Sequence, residues 1–261
     1  EMCIRDRLWE FFQFFQLISF LPVKLKLLIR NCLILILILN FSCIQSEKKS
    51  LYPSNKLEIK YHSSWTKPHY KHRIVDFQAA PLEYGDIVFI GNSITEEGND
   101  WSQRLNRNGV KNRGISGDVT DGVLARLDEI IHYKPKAVFL MIGINDLYNL
   151  HFQKEIPSAK YVANNILKIS SQLSSALPNS KIYLQTLLPT NQDFIKENIG
   201  IVNSIIFKNK LKYNYEVVDL HSIFIDKNGY LIDELTYDGL HLNDAGYSLW
   251  ASTIKPIIDN I

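Results

Sequence analysis

Four short stretches hold the residues whose types and spacing suit chemistry: G-N-S at 91–93, N-R-G-I-S-G-D at 112–118, G-I-N-D at 143–146 and D-G-L-H at 238–241. A hydroxyl, a small glycine, a neutral amide and an aspartate-histidine pair are together the parts of nucleophilic acyl transfer. Each alone has a plainer explanation. Ser93 suits a turn or the cap of the next helix. Gly114 and Gly117 suit a tight turn, or a phosphate cradle at a helix N-terminus. Asn145 suits a loop asparagine bonded to its own backbone, Asp238 a turn and His241 a packed or solvated histidine. The set, in that order and each after its own secondary element, is far more specific than any member.

The elements that must position these residues follow from periodicity. Apolar runs bounded by turn residues predict strands at 86–90, 109–112, 137–142, 181–187 and 216–220. Between them, Val119, Val123, Leu124, Leu127 and Ile131 share one helical face, as do Val162, Ile166, Ile169, Leu173 and Leu177, which end before Pro178-Asn179. A further helix is expected over 194–212, and a last one after an Asn243 cap, carrying Leu249, Trp250 and Ile254. A short helix is expected within 70–77. Strand-helix alternation of this kind implies parallel strands with helices on both faces: a flavodoxin-like, three-layer α/β/α sandwich around a five-stranded parallel sheet of order 2-1-3-4-5. In that arrangement all four motifs fall at one edge of the sheet, where open α/β folds bind ligands.

From Asp86 to the C-terminus the sequence resembles the SGNH (GDSL-type) hydrolase family, in particular its acetylesterase-like and platelet-activating-factor-acetylhydrolase-like members, through GNSITE and NRGISGD. The four residues that name the family match Ser93, Gly117, Asn145 and His241, and its aspartate three residues before the histidine matches Asp238. One departure is visible. The common Gly-Asp-Ser is here Gly-Asn-Ser, so Asn92 removes a charge beside the serine, a variation that acetylesterase-like members share. The resemblance implies a metal-free esterase of the flavodoxin-like fold working through an acyl-enzyme.

The residues support that chemistry on their own terms. A serine hydroxyl is a weak nucleophile until a base takes its proton, which requires His241 within hydrogen-bond reach of Ser93. Asp238 would accept from the other ring nitrogen, and an imidazole base implies rates that fall as pH drops through about 6 to 7. Three donors suit the developing oxyanion: the backbone N–H groups of Ser93 and Gly117 and the side-chain amide of Asn145. At Gly117 a Cβ would be expected to crowd the substrate.

Other readings fit less of the pattern. An α/β-hydrolase needs G-x-S-x-G, and Gly91-Asn92-Ser93-Ile94-Thr95 lacks the second glycine. His62, His69, His72, His132, His151 and His221 show no H-E-x-x-H or similar ligand spacing, so no metal or other cofactor is expected. A phosphate binder would leave the D-x-x-H pair unexplained, and a non-catalytic domain holding acylated glycans would leave every catalytic position needlessly filled. The expected activity is hydrolysis of small acyl, above all acetyl, esters on a carbohydrate or similar hydroxyl. The alternative is a lysophospholipase or thioesterase acting on longer chains; the short connections leave little chain for a lid or a deep acyl tunnel.

Composition bounds the partners and the compartment. The 261 residues are 46% hydrophobic and 21% charged, enough for one sizeable core, and the formal net charge of +2 with no long basic run argues against nucleic acid. The cysteines, Cys3, Cys32 and Cys43, all precede the motifs, which leaves the catalytic body without a disulfide framework. Lys24, Lys26 and Arg30 precede the apolar CLILILILNF and then Ser42-Cys43, the arrangement of an export signal. Ser-Cys resembles the processing site of bacterial lipoproteins, which would lipidate Cys43 and tether the protein at a periplasmic or outer-membrane surface. The expected division is an export segment at 1–43, a polar tether at 44–68 and a hydrolase domain at 69–261.

Overall fold

A computed structural model describes residues 22, 24, 50–212 and 214–261. The chain divides into two units, 1–49 and 50–261, and the second contains all four motifs. Apart from residues 22 and 24, the expected export segment lies outside the described residues, as does Cys43. Among the described residues no helix is long and apolar enough to cross a membrane.

Five strands, β1 (Ile87–Gly91), β2 (Val110–Gly114), β3 (Ala137–Met141), β4 (Lys181–Gln185) and β5 (Glu216–Val218), pair in parallel in the order β2-β1-β3-β4-β5. That is the topology expected from the alternation. The central β1 and β3 are buried along their whole length, as a sheet covered on both faces requires. Phe89 of β1 stacks between Trp101 and Phe139 at ring separations of 4.4 and 4.9 Å, and Phe139 stacks on Tyr183 of β4 at 4.6 Å. These rings bind three strands to one flanking layer, and each buried ring contributes large apolar area to the core.

The helices are α1 (Thr66–Ala79), α2 (Ser93–Glu96), α3 (Trp101–Leu105), α4 (Thr120–Leu124), α5 (Asp128–Tyr133), α6 (Ile144–Phe152), α7 (Ala159–Ala176), α8 (Asp193–Asn209), α9 (His221–Phe224) and α10 (Asp244–Asp259). Two departures from expectation bear on the site. The single helical face read over 119–131 is divided into α4 and α5. The break coincides with Arg126, whose buried guanidinium reaches Asp118 Oδ2 (3.0 Å), Arg113 O (2.8 Å) and Gly91 O (3.1 Å). Satisfying a buried cation this way outweighs continuing the helix. The other is α6, which places Asn145 in the first turn of a helix rather than in a loop.

Residues 50–68, expected to lie in the tether, instead belong to the compact unit. Ile59, His62 and Thr66 are buried, and α1 begins at Thr66.

Candidate active site

Ser93 begins α2 directly after β1. The turn is tight because Gly91 has no side chain: a Cβ there would lie 2.1 Å from Thr95 Oγ1 and 2.5 Å from Met141 O. Gly114 permits the same approach on the other side, where a Cβ would lie 2.3 Å from the Glu96 amide nitrogen. Asn92 is buried, and its Oδ1 accepts the Ile94 N–H at 3.1 Å, capping α2. An amide does the capping there without burying a carboxylate beside the serine.

His241 and Asp238 share the loop before α10. His241 Nε2 stands 3.0 Å from Ser93 Oγ, and His241 Nδ1 stands 2.7 Å from Asp238 Oδ2. The second contact assigns the ring proton to Nδ1, which turns the Nε2 lone pair toward Ser93. The other Asp238 oxygen accepts the backbone N–H groups of His241 (2.7 Å) and Leu240 (2.9 Å). Partial burial works to raise the pKa of Asp238, but these hydrogen bonds and the imidazole outweigh it and hold the carboxyl below its usual range. Tyr237 stacks on the imidazole at 5.7 Å and donates its hydroxyl to Glu97 at 2.9 Å; Glu97 itself lies 3.9 Å from His241 Nε2.

Asn145, in the first turn of α6, meets the loop that carries Gly117. Asn145 Nδ2 donates to Asp118 O at 2.9 Å. On either side of Gly117 the amides are committed, Ser116 N to Glu96 Oε2 and Asp118 N to Ile115 O. The glycine is required, but not for the expected reason: its φ is +78°, and a Cβ would lie 2.3 Å from Thr66 Oγ1. A side chain at 117 would therefore collide with α1 rather than crowd a substrate.

Motif spacing does not reveal what holds this loop. Asp118 is fully buried, with His62 Nε2 2.9 Å from Oδ1 and Arg126 Nε 3.0 Å from Oδ2. The guanidinium goes on to bond Gly91 O, so one buried ion pair connects the end of β1 to the loop carrying Gly117 and, through Asp118 O, to Asn145. Removing one partner would strand a buried charge. Asp118 stands at the end of the N-R-G-I-S-G-D motif, whereas nothing local marks His62 or Arg126.

Asp146, next to Asn145, is fully buried and accepts from Thr120 Oγ1 at 2.6 Å and Thr120 N at 3.1 Å. Burial pushes its carboxyl up to about 7, against the opposing Thr120 hydrogen bonds. The unfolded carboxyl loses its proton near pH 4, so between about pH 4 and 7 the folded state holds a proton that the unfolded chain has released. Unfolding free energy from this group therefore falls as pH rises through that window. Thermal midpoints measured from about pH 5 to 8 should fall less for Asp146→Asn than for the unaltered protein; equal slopes would contradict this.

A cavity of about 460 Å³ opens beside Gly117 and Asn145, walled by Tyr61, Trp65 and Thr66 on one side and by Tyr148, Asn149 and Gln153 on the other. Among the described residues no group of three or more His, Cys, Asp or Glu is placed to hold a metal ion.

Comparison with known proteins identifies relatives of the chain and places it in a family. The rat platelet-activating factor acetylhydrolase IB subunit alpha2 is 27% identical over 180 residues, covering 66% of this chain and 74% of the relative. A solved structure from Streptococcus pneumonia, provisionally assigned as a platelet activating factor, superposes with a TM-score of 0.64 at 26% identity, covering 74% of this chain and 94% of that one. An acetyl xylan esterase from Geobacillus stearothermophilus shares the fold, with a TM-score of 0.57 at 21% identity over 68% of this chain and 96% of its own. The sequence profile of the GDSL-like Lipase/Acylhydrolase family matches residues 89–249, from within β1 to within α10. The chain belongs to that family and is a carboxylic ester hydrolase.

Proposed function

We propose that the protein is a serine esterase that removes small acyl groups, chiefly acetyl, from the hydroxyls of a carbohydrate, with Ser93 as nucleophile, His241 as base and Asp238 as its partner. The observation that carries this reading is the hydrogen-bonded chain from Ser93 Oγ through both ring nitrogens of His241 to Asp238, formed between residues 148 positions apart. Ser93 Oγ attacks the ester carbonyl carbon as its proton passes to His241 Nε2. The tetrahedral intermediate places its negative oxygen toward the Ser93 and Gly117 N–H groups and the Asn145 amide. Collapse breaks the carbon–oxygen bond to the alcohol, which leaves with the proton from Nε2. Water then attacks the acyl-serine, again giving up a proton to Nε2, and the acid departs as that proton returns to Ser93 Oγ. Asp238 keeps Nδ1 protonated and stabilises the imidazolium in both halves.

Acetyl is supported by the rat relative, whose name states that group. A carbohydrate alcohol is supported by the mixture of polar and aromatic residues around the cavity beside Gly117. Export through residues 1–43, with lipid on Cys43, belongs to the same proposal and rests on the basic-apolar-Ser-Cys order of that segment. On 4-nitrophenyl esters from acetyl to octanoyl, kcat/KM should be greatest for acetyl and fall with each added pair of carbons. A rise with length would favour the longer-chain alternative, and absence of turnover on every ester would leave the acyl-glycan-binding reading.

A further inference from the structure

Resting on that esterase reading, we infer that residues 61–66 and α6 form a subsite for the alcohol half of the substrate, in which one sugar ring lies against Trp65 with its hydroxyls turned toward Gln153 and Asn149. The cavity they wall is about 460 Å³, within the range that holds small ligands, and it reaches the site through Gly117 and Asn145. Trp65 is 60% exposed although its ring is among the largest apolar surfaces in the chain. One face stacks on His69 at 5.0 Å, and His69 in turn contacts Glu96 at 3.0 Å, so the indole is held in place rather than left to swing. A fixed and exposed aromatic plane attracts the C–H face of a sugar, whose weakly positive hydrogens meet the negative face of the ring.

The opposite wall supplies polarity. Gln153 and Glu155 are exposed, and Asn149 lies behind them, its amide bonded to Glu155 Oε2 and to Ile156 N. An aliphatic acyl chain would desolvate these groups without bonding them, an unfavourable exchange; a polyol gives each a partner. That assigns the cavity to the alcohol and not to the acyl group. Tyr148 joins it to the oxyanion side of the site: it lines the cavity one turn along α6 from Asn145, which lines it too. Residues 61–66 are held against the site by the His62–Asp118 contact, so the wall is built into the same structure that positions Gly117.

The test compares kcat/KM on O-acetylated xylo-oligosaccharides with kcat/KM on 4-nitrophenyl acetate, for the unaltered chain and for Trp65→Ala and Gln153→Ala. Loss of one stacking contact should lower the ratio of the two values about tenfold in Trp65→Ala, mainly through KM on the oligosaccharide. Gln153→Ala, on an exposed side chain that leaves the His69 stack intact, should lower the ratio several-fold. Ratios equal to that of the unaltered chain in both variants would overturn the subsite, as would hydrolysis of 4-nitrophenyl acetate by a chain inactive on the oligosaccharides. An unaltered chain inactive on both esters would instead overturn the esterase reading, and the subsite with it.

Discussion

Ser93→Ala should lower kcat on 4-nitrophenyl acetate by roughly 10⁴- to 10⁶-fold, the scale seen when a catalytic serine is removed from a hydrolase with an oxyanion hole. The loss should appear in kcat, because the deleted oxygen forms its bond to the substrate only during the reaction. Stability should change little. The hydroxyl bonds His241 at 3.0 Å at the rim of the sheet, and one such bond contributes about 1 kcal/mol, or a shift of roughly 2 to 4 °C in thermal midpoint for a unit of this size. Turnover within tenfold of the unaltered chain would remove Ser93 from the chemistry.

Asn145→Ala should lower kcat by about 10²- to 10³-fold, near 3 to 4 kcal/mol of transition-state stabilisation, with little change in KM. A side-chain amide has two N–H donors. In Asn145 one is given to Asp118 O at 2.9 Å, which fixes the plane of the amide so that the other has a set direction. Because Asp118 is itself pinned by His62 and Arg126, the amide carries little freedom that the reaction would have to remove. Asn145→Asp should be at least as damaging, since a carboxylate would face the developing negative charge. A loss below about threefold in Asn145→Ala would mean that the backbone donors alone hold the oxyanion.

The sheet, and the convergence of most candidate site residues on one edge of it, were legible because their signals are local. Buried parallel strands are written as short apolar runs, and Ser93, Asn145 and the Asp238-His241 pair each follow such a run or a turn. Three features were not legible, for a common reason: their determinants are far apart in sequence. β2 extends through Arg113, a residue that reads as surface, because Glu129, 16 positions on, pairs with it at 2.8 Å. The interruption between α4 and α5 follows from Arg126 reaching back to Gly91. Residues 50–68 read as a solvated tether, rich in lysine, serine and proline, yet they wall the site through contacts far apart in sequence, such as the pairing of His62 with Asp118, 56 positions away. At Gly117 the substrate was expected to leave no room for a side chain, but the obstacle is Thr66, supplied by that same unanticipated wall.

Covalent trapping is the most direct test of Ser93 as the nucleophile. The protein is incubated with a fluorophosphonate that reacts with activated serines, digested, and the adduct located by mass spectrometry. The account predicts one phosphonyl group per chain, on the peptide containing Ser93, with loss of esterase activity in proportion to labelling and no adduct in Ser93→Ala. Labelling of a different residue that tracks the loss of activity, or full labelling of Ser93 with activity retained, would contradict it.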